Sequence, residues 1–205
     1  MGKETENATQ SPAVGRWWSR PTNEVPAVVP LQAVLARTDH IVISLNGARV
    51  YSQGVELCVH VHVQAPSPVT AMSALSVCGP SMRDRCLFGV EFPDGSASTN
   101  IDNQATRRTA TAPVLTSGSG GGGPAHSTFT FQLAPIPPAG QMAIWVAWPA
   151  AGVPESRVEI DTEPLRQAVD RVQVLWPEQT GSVWTPTPSE RPELPAGGWF
   201  AKVTG

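Results

Sequence analysis

The sequence predicts a mainly β protein with the architecture of an antiparallel β-sandwich. Its 205 residues include 21 prolines and 18 glycines, which interrupt the chain too often for long helices. Between these interruptions apolar and polar residues alternate, as they do in strands that bury one face. About nine short strands with turns roughly every ten residues are typical of a sandwich, and a closed barrel is the alternative.

Individual residues justify the strand boundaries. Asn46-Gly47 is a turn or bulge signal, Pro66 and Pro68 end a strand, and Pro93-Asp94-Gly95 predicts a hairpin turn. Residues 142–148 are apolar on both faces, which is typical of a central strand that is covered on both sides. The segments with the strand pattern are 28–35, 40–51, 55–64, 69–78, 86–92, 96–101, 105–115, 126–133, 142–148 and 156–161.

One segment changes to a helical period. Asp161 and Thr162 can cap a helix, and apolar residues then follow at the spacing of one helix face, from Leu165 to Val172. The pattern predicts one short C-terminal amphipathic helix of about three turns, which ends near Gln173.

Composition divides the chain into three parts. Residues 1–24 are polar and without periodicity, which predicts a flexible N-terminal arm; residues 25–177 form the β-sandwich domain. The tract 117–123 has almost no side chains to pack and predicts a glycine-rich loop rather than a phosphate-binding loop, because no Gly-Lys-Ser/Thr follows. Residues 178–205 predict a proline-rich, extended C-terminal tail.

Charge and cysteine content narrow the class of protein. A net charge of −3 without a basic stripe argues against nucleic-acid binding. The polar first residues carry no signal-peptide pattern, and the apolar run 142–153 is too short to span a membrane. Three cysteines without C-x-x-C spacing predict reduced thiols and a cytoplasmic protein, and a Cys78–Cys86 disulfide is the alternative.

Cys58, His60 and His62 share one face of a predicted strand and are the candidate metal ligands. Two imidazoles at i and i+2 can converge on one divalent transition-metal ion, with the thiol as a third ligand. The alternative is the half-exposed face of an ordinary strand, with no cofactor.

The spacing from Gly54 to His60 and His62 resembles the start of the first cupin motif. The glutamate that should follow is missing, and His126, the one histidine downstream, lies beyond the glycine tract. Glu91 or Asp94 from the predicted hairpin could replace the missing carboxylate. The resemblance implies a small cupin-like metal-binding protein or metalloenzyme as an alternative function.

Aromatic residues near the two ends predict contacts with a partner or ligand, and they are Trp17, Trp18, Trp184, Trp199 and Phe200. Trp145, Trp148 and Trp176 stand in apolar runs and are expected in the core. Exposed tryptophans would also suit a small ligand or a sugar.

No complete catalytic constellation is recognisable, since the chain has no Gly-x-Ser-x-Gly elbow and no signature around its cysteines. The preferred prediction is therefore a non-catalytic β-sandwich that acts as a binding or assembly module, with a protein partner or a second copy of itself.

Several stretches together resemble an uncharacterised β-rich protein family of high-GC Gram-positive bacteria. The likeness covers about residues 25–177 and implies no established activity and no site residue. The stretches are 38–43, 50–57, 87–95, the glycine tract and 148–161.

Overall fold

The computed structural model describes residues 20–74, 84–101, 113–177, 194 and 196–204. All strand pairs in this part of the chain are antiparallel. The strands are β1 Glu24–Val25, β2 Ala27–Arg37, β3 Ile41–Val50, β4 Val55–Val63, β5 Leu87–Glu91, β6 Ala97–Thr99, β7 Val114–Gly122, β8 His126–Ala134, β9 Gln141–Trp148, β10 Val153–Asp161 and β11 Gln173–Val174; the helices are α1 Glu163–Ala168 and α2 Trp199–Thr204.

Two sheets form the sandwich. One has five strands in the order β2-β3-β4-β8-β7, and the other has four in the order β10-β9-β5-β6. β1 and β11 form a separate two-stranded ribbon. The prediction of a mainly β, antiparallel sandwich is confirmed, and the described strands form open sheets rather than a closed barrel.

The core lies between the two sheets. Phe88 of β5 stacks on Phe131 of β8 with ring centroids 4.1 Å apart. Trp148 is fully buried, as predicted, and its indole nitrogen donates a hydrogen bond to the Asp84 carbonyl at 2.7 Å. A single apolar cluster joins residues of both sheets, so the layers fold as one unit.

Glycines at positive φ shape the turns that the sequence predicts. Gly47 has φ 104° where the register between β3 and β4 shifts, so Asn46-Gly47 marks a bulge. Gly95 has φ 81° in the hairpin between β5 and β6, where the Asp94 carboxylate accepts a hydrogen bond from the Ser96 amide at 2.9 Å. The predicted hairpin is therefore present.

The predicted helix is present but shorter than expected. The Asp161 carboxylate accepts a hydrogen bond from the Glu163 amide at 3.0 Å, whereas the Thr162 hydroxyl donates to the Pro138 carbonyl instead of capping. α1 buries Leu165 and continues into a single 3-10 turn, Val169–Arg171.

The predicted strand over 69–78 is wrong. Ala71–Ala74 forms a 3-10 turn, and residues 75–78 lie outside the described part. Ala, Met and Ser follow the β-branched Val69 and Thr70, and these small or unbranched side chains gain little on a pleated surface.

The glycine-rich loop predicted over 117–123 is also wrong, because β7 continues to Gly122 and pairs with β8. A Cβ at Gly118 would collide with the Thr130 side chain, and one at Gly122 would collide with the backbone of β8. The glycines therefore permit close packing along an edge strand instead of leaving a loop.

Most of the predicted arm, residues 1–19, and most of the predicted tail, residues 178–193, lie outside the described residues. In the described part, Glu24 belongs to β1, and Trp199–Thr204 is helical rather than extended. The expectation that Trp176 lies in the core is wrong, because Trp176 follows β11 of the two-stranded ribbon and is 49% exposed. Within the described residues, none of the helices has the length and apolar character needed to cross a membrane.

Candidate metal centre

The candidate metal ligands lie on the outer face of the five-stranded sheet. β4 is its central strand, and the alternation that the sequence predicts buries Val59 and Val61 in the core while His60 and His62 face outward. β8 runs antiparallel beside β4 with His126 directly opposite His62. Two adjacent strands therefore bring three imidazoles to one place.

These three side chains form the histidine trio, His60, His62 and His126. One ring nitrogen from each lies within 4.8 Å of the others. His60 Nδ1 and His126 Nε2 are 3.2 Å apart. Two nitrogens bound to one tetrahedral zinc ion at 2.0–2.1 Å would be about 3.3–3.4 Å apart, which is close to the His60–His126 distance.

The surroundings of His60 disfavour its protonated form. Partial burial, followed by the proximity of His126 and His62, lowers the pKa of His60. The neutral imidazole of His60 keeps the lone pair of one ring nitrogen free for a cation.

The only hydrogen bond that these rings make, within the described part of the chain, is the one between His60 and His126. Metal-binding histidines usually donate their second ring nitrogen to a carboxylate or carbonyl, which fixes the ring. Here the rigidity comes from two paired strands instead.

Cys58 does not join the trio. It lies on the same face of β4, opposite Thr130, but the group of converging ligand atoms contains the histidines alone. Burial raises the pKa of its thiol, which disfavours the thiolate that a metal requires. Cys58 instead neighbours the ion pair between Arg49 and the buried Glu56, whose atoms are 2.8 Å apart.

The carboxylates that could have completed a cupin-like site lie elsewhere. Glu91 belongs to the four-stranded sheet and accepts a hydrogen bond from the Trp145 indole at 3.0 Å. Asp94 accepts two hydrogen bonds from Ser96 in the hairpin. Neither is part of the histidine trio.

Sequence reasoning missed His126. Its position at the start of a predicted strand put it on a pleated surface, but only the pairing of β8 with β4 places it opposite His62. That register depends on contacts far apart in sequence. The sequence offered one signal, since His126 and His62 both stand near an end of a predicted strand.

His40 lies beside the trio without belonging to it. It lines a hollow of about 340 Å³ together with Asp39, Thr38 and His62. All four histidines of the chain therefore gather at one end of the five-stranded sheet. The hollow offers space for a small ligand next to His62.

The aromatic residues predicted to contact partners have different positions. Phe200 is fully buried, and Trp199 stacks on Trp145 with ring centroids 4.8 Å apart. Both therefore pack on the body of the same chain. Trp17, Trp18 and Trp184 lie outside the described residues.

No protein-family model, curated protein or solved structure matches this chain. The likeness to a bacterial family therefore stays a prediction, and the function must be argued from the site itself.

Proposed function

We propose that this protein is a metal-binding β-sandwich whose ligand is a divalent transition-metal ion of the zinc type, held by the histidine trio. The observation that carries the proposal is the convergence of three imidazole nitrogens within 4.8 Å on two paired strands. Neutral imidazoles suit zinc, copper and nickel ions, whereas magnesium and calcium prefer oxygen ligands.

Three protein ligands leave at least one coordination position for water or a small anion. The bound ion would keep its full positive charge, because imidazoles carry none, and would therefore favour an anionic fourth ligand. The hollow beside His62 gives such a ligand access.

A binding role is favoured over a catalytic one. In the described part of the chain no carboxylate or hydroxyl is hydrogen-bonded to the trio, so no group is held in place there as the general base of a metal-dependent hydrolase. Among the described residues, the second ring nitrogens of the trio lack hydrogen-bond acceptors such as carboxylates, and losing one such acceptor commonly weakens metal affinity by about 10- to 100-fold. We therefore expect a micromolar rather than a nanomolar dissociation constant for the metal.

Calorimetric titration of zinc into tag-free protein tests the proposal. We expect one ion per chain in the wild type and an affinity at least about 10-fold weaker in His126→Ala. His60→Ala and His62→Ala should behave in the same way, because each removes one of three ligands.

His40→Ala is the matched control, since it removes a histidine that neighbours His62 but lies outside the trio. We expect it to bind zinc as the wild type does, and Cys58→Ser likewise. Equal losses in His40→Ala and His126→Ala would contradict a site built from the trio.

Self-association is a second candidate function, supported by the ribbon of β1 and β11. Val25, Val174, Leu175 and Trp176 expose large apolar side chains there, with Val174 at 63%. Light scattering of the wild type and of Val174→Ser/Trp176→Ser tests it. A wild-type monomer at about 100 µM would contradict this candidate, since stable interfaces bind well below that concentration.

A further inference from the structure

The C-terminal segment, residues 196–204, lies on the outer face of the four-stranded sheet. Phe200 is fully buried there, and its ring meets that of Trp199 edge to face with centroids 5.2 Å apart. Trp199 in turn lies flat on Trp145 of β9, with the two rings 8° from parallel. Two consecutive aromatic side chains therefore anchor the segment.

The sheet provides a shaped groove for these two side chains. The apolar floor of the groove consists of Leu87, Ile101 and Ala147. Phe200 packs against these three residues. Gly89 makes room for the rings, because a Cβ at that position would lie 2.5 Å from the Trp199 ring. The absence of a side chain at Gly89 is thus a requirement of the bound aromatic pair. We call this surface the aromatic groove.

Polar contacts fix the direction of the segment. The Trp199 amide donates a hydrogen bond to Glu155 Oε1 at 2.8 Å. The second carboxylate oxygen of Glu155 is buried without a hydrogen-bond partner among the described residues. Arg157 lies 5.7 Å from the centre of the Trp145 ring, where it adds a cation–π contact.

The aromatic groove forms a cluster of its own, separate from the main core between the sheets. The segment that fills it is short, and the chain between it and the body, residues 178–193, contains Pro186, Pro188 and Pro192. The segment is therefore related to the groove as a peptide ligand is to its receptor, although both belong to the same chain.

We propose that the aromatic groove is a peptide-binding site for the Trp199-Phe200 pair, and that the C-terminal segment of a second copy of this chain can occupy it. Exchange of an identical element between two copies needs no new contact, because the exchanged segment makes the same interactions in either chain. The occupant is the segment that fills the groove among the residues that the structure describes.

Concentration decides which copy supplies the segment. Because it belongs to the same chain, the chain's own segment meets the groove in an intramolecular step, which favours it over the segment of a second copy. In dilute solution the chain's own segment therefore occupies the groove. The segment of a second copy can bind where the chain's own segment has lost its aromatic anchors. The inference is independent of the metal site, which lies on the other sheet.

Two full-length variants test the exchange. Gly89→Val blocks the groove but keeps the segment, whereas Trp199→Ala/Phe200→Ala removes the two anchors but keeps the groove. Each variant alone lacks one half of the contact and should not dimerise through the groove; both are made in the Val174→Ser/Trp176→Ser background, so that association through the ribbon does not contribute. An equimolar mixture should contain a one-to-one heterodimer, detected by native mass spectrometry and by light scattering at about 100 µM, where aromatic anchors of this kind give measurable binding.

A third variant that carries all three substitutions is the control, and its mixture with either of the other two should contain monomers only. Circular dichroism verifies that each variant folds, and Ala147→Leu replaces Gly89→Val as the blocking change if the latter does not. A mixture of the two complementary variants that stays monomeric would overturn the proposal. A dimer that also forms with the third variant would overturn it too, because the contact would then lie elsewhere.

Discussion

The outer faces of the two sheets differ in what covers them. The outer face of the five-stranded sheet carries polar groups, among them the histidine trio, of which His62 and His126 are exposed. The outer face of the four-stranded sheet carries an apolar patch around Trp145 and Ala147, which is covered by Trp199 and Phe200 of the same chain. One face is left accessible to a small ion, and the other is occupied by a peptide.

Sequence explains this difference. β9 alternates between two apolar faces, so its outward residues Trp145 and Ala147 need a cover to leave water. β4 alternates between an apolar and a polar face, so its outward histidines can stay in contact with solvent. A strand that is apolar on both faces therefore predicts a segment that covers its outer face. A strand that is apolar on one face only predicts an outer face that is accessible to solvent.

The largest expected effect is a difference in stability between a variant of the covered face and a variant of the accessible face. Phe200→Ala removes a fully buried ring and should lower the free energy of unfolding by about 3 kcal/mol. His62→Ala on the accessible face should change it by less than about 0.5 kcal/mol in the absence of metal. Urea denaturation of both variants measures this contrast. Equal losses would show that the two faces are not differently packed.

Metal should stabilise the protein through the accessible face only. Zinc at 100 times its dissociation constant should add about 2.7 kcal/mol to the free energy of unfolding, because the ion binds the folded chain. His126→Ala should lose this gain and Trp199→Ala should keep it. Thermal unfolding with and without zinc provides the measurement. A gain that survives in His126→Ala would place the ion elsewhere.

A smaller effect follows from the lowered pKa of His60. Between the ordinary histidine pKa and the lower value in the folded state, the unfolded chain binds more protons than the folded one. The stability of the metal-free protein should therefore fall as the pH drops through this window, and recover as the pH rises. Thermal unfolding of the wild type and of His60→Gln between pH 7 and about pH 5 tests the sign, since glutamine removes the dependence. A wild type that gains stability on acidification relative to His60→Gln would contradict it.

Local patterns predicted most of the architecture. The alternation in residues 55–64, the Pro93-Asp94-Gly95 turn and the capping signal at Asp161 each depend on neighbours in sequence, and each corresponds to a described element. The segment 69–78 failed because residues 71–74, which are apolar or small and carry no β-branch, do not distinguish a strand from a helical turn.

The candidate site was only half predictable. His60 and His62 share a face because of the strand period, which the sequence displays directly. His126 joins them through strand order and register, which follow from packing over the whole sandwich. The tract 117–123 was misassigned for the same reason, since only the neighbouring Thr130 shows why glycine is needed at position 118.

The most direct test of the proposed function is the position of zinc in crystals of the tag-free protein grown with the ion, located by anomalous scattering at the zinc edge. We expect one peak per chain, about 2.0–2.1 Å from a ring nitrogen of each of His60, His62 and His126. Strong anomalous density at His40, at a cysteine or at no histidine, with the trio left empty, would contradict it.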